Sequence, residues 1–199
     1  MKNKKERLTE INGQFAELIR DLYPSGVKLT ACGEGNPDAG IAVLLAAPDI
    51  AGKSLRAEPN AHDGEAAELS RLIGVRPDDI YITYAIKVHS FAGADNMPDP
   101  FSDCNKEDAE LSRPFLLREL DTLEPDLIVV IGAPALKILL DRDYLPANCF
   151  GRRVYSDLFR KSVIFPLRGP NRIENTHLSE HFYEDMFILN RQLGSFYHK

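Results

Sequence analysis

Leu8, Ile11, Phe15, Leu18, Ile19 and Leu22 recur at steps of three and four, which places them on one face of a helix. Tyr23-Pro24-Ser25-Gly26 ends it. Further along, the pattern changes to short, mostly apolar runs: residues 41–47, 80–86, 126–132 with an acidic entry at Asp126, and 162–166. Each is about one strand long and lacks polar alternation, so each reads as a strand buried on both faces. Helical stretches fall between them: about 65–73, from near Lys106, 133–140, and a closing helix through Phe182, Met186, Ile188, Leu189 and Leu193. Asn105 or Ser102 suits the N-cap of the helix at Lys106, and Pro114 predicts a kink or a late start. Strand and helix alternating in this way predict a three-layer αβα fold with a central, mostly parallel four-stranded sheet. Residues 1–199 read as one domain, with residues 1–26 as an N-terminal packing helix.

In such a sheet, ligands sit beyond the carboxyl ends of the strands. Two long polar segments, 48–64 and 87–105, leave from those ends, and structureless loops of that length are uncommon unless functional. The first holds Asp49, Lys53, Arg56, Glu58, Asn60, His62 and Asp63. Asp49, after Pro48, also suits a turn, Asp63-Gly64 suits a turn or a helix N-cap, and a lone loop histidine is also explained by solvation.

At 199 residues and 44% hydrophobic composition, the chain has enough apolar surface for one well-buried core. A net charge of −6 argues against nonspecific coating by nucleic acid and leaves room for a local basic groove. Basic residues gather at Gly151-Arg152-Arg153, Arg160-Lys161 and Leu167-Arg168-Gly169-Pro170-Asn171-Arg172. The three cysteines, Cys32, Cys104 and Cys149, share no metal-ligand spacing and make no disulfide framework, so no metal is expected and a reducing cytoplasm fits. No signal-peptide pattern or membrane-length apolar run is seen, so a membrane is not an expected partner. Gly33-Glu34-Gly35 precedes its strand, so it is not a dinucleotide-binding turn.

Gly-Glu-Gly-Asn-Pro-Asp-Ala at 33–39, Ala-Ala-Pro at 46–48, Asp78-Asp79-Ile80-Tyr81-Ile82-Thr83, Lys87, Arg113-Pro114-Phe115-Leu116 and Pro125 through Gly132 resemble blocks of the uracil-DNA glycosylase superfamily, especially its family 4 and family 5 branches. The resemblance runs from about Gly33 to Asn171 and implies the glycosylase fold and a DNA substrate. The site residues depart from it. Family 4 reads Gly-Glu-Ala-Pro-Gly after the first strand, and here Ala46 stands at the carboxylate. Family 5 takes its acid from the following loop, which makes Asp49 and Asp63 the candidates. The base-stacking aromatic after a proline becomes Asn60, the amide reader after the Ile-Thr step becomes Tyr84, and the closing His-Pro-Ser becomes Gly169-Pro170-Asn171. The four iron–sulfur cysteines of these branches are missing, with Val88 and Ser112 at two of the positions, so no cofactor is implied.

Breaking an N-glycosidic bond builds positive charge on the sugar and negative charge on the base, so it needs a carboxylate near one and donors near the other. Asp49 or Asp63 fits the first role; Asn171, with His62 and Arg168, fits the second. Pro48, Asn60, His62 and Tyr84 are expected around a flipped-out base. Lys87, Arg152, Arg153, Arg168 and Arg172 are expected on DNA, with Leu167 as a wedge. Two functions follow: a glycosylase for a modified pyrimidine, a bulky phage-type base included, acting as a monomer; or a glycosylase-fold relative that binds nucleic acid or protein without catalysis.

Overall fold

α1 (Lys4–Leu22) forms where the apolar spacing predicts it. Asn3 accepts the Glu6 N–H at 2.8 Å while the Glu6 carboxylate accepts the Asn3 N–H at 3.0 Å. This reciprocal cap satisfies donors that a helix start leaves open. Leu8, Ile11, Phe15 and Ile19 are buried, and Leu22 lies exposed past the stripe.

The computed structural model describes residues 2–25, 28–48, 69–70, 72–90, 106–142, 145–146, 148–169 and 180–193. In chain order, its strands are β1 (Lys28–Thr30), β2 (Glu34–Gly35), β3 (Ile41–Leu45), β4 (Ile80–Tyr84), β5 (Val88–Ser90), β6 (Leu127–Ile131) and β7 (Val163–Leu167). The remaining helices are α2 (Lys106–Leu123), α3 (Ala133–Leu140) and α4 (Glu180–Leu193). Leu69, Ser70, Leu72 and Ile73 are helical too, which matches the end of the helix expected over 65–73. α2 starts at Lys106 and runs on through Pro114, so the proline does not delay it. Its expected caps, Ser102 and Asn105, lie outside the described residues.

The main sheet has the order β2-β4-β3-β6-β7. β4, β3, β6 and β7 are parallel, as expected, and β2 adds an antiparallel fifth strand at the edge. Among the described residues, the sheet expected to have four strands therefore has five. The addition comes from the Gly-Glu-Gly segment, whose two strand residues are exposed and give no apolar signal. Glycine is required there: Gly35 has φ +112°, and a Cβ on it would stand 2.6 Å from the Ile80 carbonyl oxygen. β1 and β5 form a separate antiparallel pair.

Both faces of the sheet are covered. Ala42, Leu44, Tyr81, Ile128, Val130 and Ile164 pack with Leu116, Leu120 and Leu123 of α2 and Leu136 and Leu139 of α3. The alternate residues Ile41, Val43, Ile80, Ile82, Val129 and Phe165 pack with Leu69, Ile73 and Phe182, Met186 and Leu189 of α4. Burial on both faces is why the strands read as continuous apolar runs. At roughly 1.5–3 kcal/mol for each large side chain buried, these two layers hold the sheet ends in place.

Candidate active site

β3 and β6 lie side by side, but the chain leaves β3 for β4 on one side and β6 for β7 on the other. The divergence makes a topological switch point, and crevices at such points bind ligands. Register sets Leu45 opposite Tyr84, Leu44 opposite Val130 and Ile131 opposite Leu167, so the strands end level. Pairing continues beyond β3 and β4: the Ala85 N–H donates to the Leu45 carbonyl and the Ile86 N–H to the Ala46 carbonyl, each at 2.8 Å. This holds Ala46 and the buried Pro48 against the sheet at the start of the segment that carries the candidate acids.

On the other side of the switch point, Gly132 (φ +90°) donates its N–H to the Leu167 carbonyl at 2.9 Å and opens α3. A Cβ on it would lie 3.9 Å from the Gly169 Cα, so the exits of β6 and β7 run close together. Tyr84 is buried at the end of β4, on the face shared with Ile80 and Ile82. The structure thus brings Pro48, Tyr84 and the start of the segment after β7 to one edge.

Arg152 and Arg153 are exposed, on a turn that runs beside β7. The Gly151 N–H donates to the Pro166 carbonyl at 2.8 Å, and Val154 bridges Ile164, so this turn runs beside β7. The Arg153 Nε donates to Gln192 at 2.8 Å. Arg168 is partly exposed, its Nη1 3.4 Å from Asp185 and 3.7 Å from Glu184. Asp49, Asn60, His62, Asp63, Asn171 and Arg172 lie outside the described residues.

Two expected DNA contacts are corrected. Leu167 is the last residue of β7 and is fully buried in the apolar layer under α4, so it is not a protruding wedge. Its apolar side chain completes the strand that the sequence pattern had ended at Pro166. Lys87 is 1% exposed, and its Nζ lies 2.7 Å from Glu119 Oε2 and donates to Thr83 Oγ1 at 2.8 Å. Withdrawing it to meet a phosphate would strand a buried Glu119 charge at about 3–5 kcal/mol. A solvated ion pair returns about 1 kcal/mol at most, so Lys87 stays inside.

The sequence reading did not single out Glu119. Tyr81 donates its hydroxyl to Glu119 Oε1 at 3.0 Å, and Thr83 donates to Oε2 at 2.6 Å. Burial, then the Glu119 charge, pushes the Tyr81 phenol far above the usual tyrosine range. The available signal was an acid inside the buried stripe Leu116, Leu120 and Leu123 of α2. Asp185, between Phe182 and Met186 on α4, is the same kind of signal; it is buried and accepts the Arg168 N–H at 2.8 Å.

The residues present do not fit an iron–sulfur cluster. Val88 is buried with Phe15 and Ile19 beside Tyr23, Leu111 and Phe115, and the Phe15 and Phe115 rings are 4.6 Å apart. Ser112 is buried and accepts the Lys87 N–H at 2.9 Å. Neither supplies a thiolate. Among the described residues, no group of three His, Cys, Asp or Glu is placed to hold a metal ion.

An αβα sheet whose parallel strands end level at a switch point, with Arg168 at the exit of β7, belongs to the α/β class whose ligands bind at that edge. The family model of the uracil DNA glycosylase superfamily matches residues 32–188, and the chain belongs to that superfamily. It is 29% identical over 175 residues to a type-4 uracil-DNA glycosylase of Thermotoga maritima, covering 82% of each chain. Its class of activity is DNA glycosylase, a hydrolase acting on DNA. Among the described residues, no helix is long and apolar enough to cross a membrane.

Proposed function

We propose that this glycosylase removes a modified pyrimidine, a bulky phage-type base included, in preference to plain uracil. One observation carries the reading: small, buried Ala46 and buried Tyr84 occupy the edge positions where the family 4 resemblance implies a carboxylate and an amide reader of uracil. The base swings out of the helix into the crevice at the switch point, against Pro48 and Tyr84 with Asn60 and His62. Asp49 or Asp63 orients a water and stabilises the positive sugar. The water oxygen bonds to C1′, the bond from C1′ to the base nitrogen breaks, and its electron pair leaves with the base, which Asn171 and backbone N–H groups stabilise. The water gives up one proton to the carboxylate, and the departing base takes up one. Arg152, Arg153, Arg168 and Arg172 hold the phosphates, a local basic edge on a chain of net charge −6. The protein acts as a single-domain monomer in the cytoplasm, in repair or in defence according to whose DNA carries the base.

The test is a set of duplexes carrying uracil, thymine, hydroxymethylated and glucosylated pyrimidines, with abasic sites cut by alkali. Faster cutting at a modified pyrimidine than at uracil is expected. Preference for uracil would overturn the specificity, and salt-sensitive DNA binding without cutting on any duplex would favour a non-catalytic binding module.

A further inference from the structure

We propose that Asp185 is a positioning residue for DNA binding, which locks the turn at Gly151-Arg152 and the exit of β7 at Arg168 into one basic ledge. The inference rests on the glycosylase reading above. Asp185 lies on the buried stripe of α4 at 2% exposure, where an apolar residue would pack at lower cost. Its carboxylate instead bonds one segment, at Arg168, and is closely approached by a second, at Gly151. Oδ2 accepts the Arg168 N–H at 2.8 Å, and Oδ1 lies 3.4 Å from the Arg168 guanidinium. Oδ1 also stands 2.7 Å from where a Cβ on Gly151 would be, so the turn approaches the carboxylate only because residue 151 is glycine. Gly151 has φ +66°, which suits glycine for the same turn.

The two segments carry Arg152 and Arg168. On an acidic chain, DNA affinity depends on holding such charges at one place, and the buried carboxylate does that by fixing Arg168 through its backbone N–H and guanidinium while the Gly151 turn packs against it. Asp185 touches no DNA in this role; it acts through Arg168 and the turn.

Fluorescence anisotropy on a duplex with a tetrahydrofuran abasic-site analogue tests this across a potassium chloride series. Such a ligand needs no base removal, so the identity of the excised base does not enter. Asp185→Ala is expected to weaken binding about ten- to a hundredfold, the fold-change of losing one charged hydrogen bond. Arg168→Ala should weaken it comparably, with a salt slope lower by about one. The double variant should lose little more than either single, as expected for residues acting as a unit. Gly151→Ala and Asp185→Asn, checked for folding by urea melts, are milder versions expected to fall between. Asp185→Ala or Asp185→Asn with wild-type affinity and salt slope would overturn the proposal. Wild-type protein that does not bind the duplex would overturn the glycosylase reading and this inference with it.

Discussion

The Lys87 ammonium and the Glu119 carboxylate meet at 2.7 Å with 1% and 0% of their side chains exposed, joining the connection between β4 and β5 to α2. Removing either partner strands the other's charge. Glu119→Ala and Lys87→Ala should each cost about 3–5 kcal/mol of stability in urea unfolding. Replacing both by apolar residues of similar size should cost much less than the sum. Equal losses for the single and double replacements would show that packing, and not the charge pair, is what counts there.

Tyr81 gives the same network a pH dependence. Its phenol is raised by burial and the Glu119 charge, so in the folded protein it stays protonated where an unfolded tyrosine ionises, near a pKa of about 10. The proton is held more tightly in the folded state. The stabilisation is therefore complete below the unfolded pKa and declines as pH rises above it. Tyr81→Phe should lower stability near neutral pH by about 1.5–3 kcal/mol, the worth of a hydrogen bond to a charged group, and should flatten the decline above pH 10. Parallel alkaline curves for variant and wild type would contradict this.

The Phe15, Ile19 and Val88 cluster ties α1 to β5 through apolar contact where the branch resemblance implies a metal cluster. Purified protein should carry no stoichiometric iron by elemental analysis, and chelators should leave its melting temperature unchanged. Phe15→Ala should cost about 3–5 kcal/mol, because it opens a cavity beside the Phe115 ring. Stoichiometric iron, or an unaltered melt for Phe15→Ala, would refute the assignment.

The main architecture was legible because its signals are local, a spaced apolar face for the helix and short apolar runs for the strands. The apolar face of α1 and the doubly buried runs of β3, β4, β6 and β7 follow from side-chain geometry alone. β2 was not legible, since two exposed residues show no period and its pairing depends on Gly35 meeting the Ile80 carbonyl. Lys87 and Leu167 were misplaced for one shared reason: a position beside a motif does not say which way a side chain points. Lys87 turns inward because Glu119, distant in sequence, needs a cation. Leu167 turns inward because β7 runs one residue longer than its proline suggested. Asp185 could have been noticed as an acid on an apolar helical stripe, but its partners Gly151 and Arg168 meet only in the folded chain.

The most direct measurement is single-turnover release of the base by wild type, Asp49→Asn and Asp63→Asn on the modified duplex that is cut fastest. Wild type should release the free base and leave an abasic site, and at least one of the two variants should be slower by about 10²–10⁴-fold while still binding the duplex. Wild-type rates in both variants, or no base released by the wild-type protein, would contradict the account.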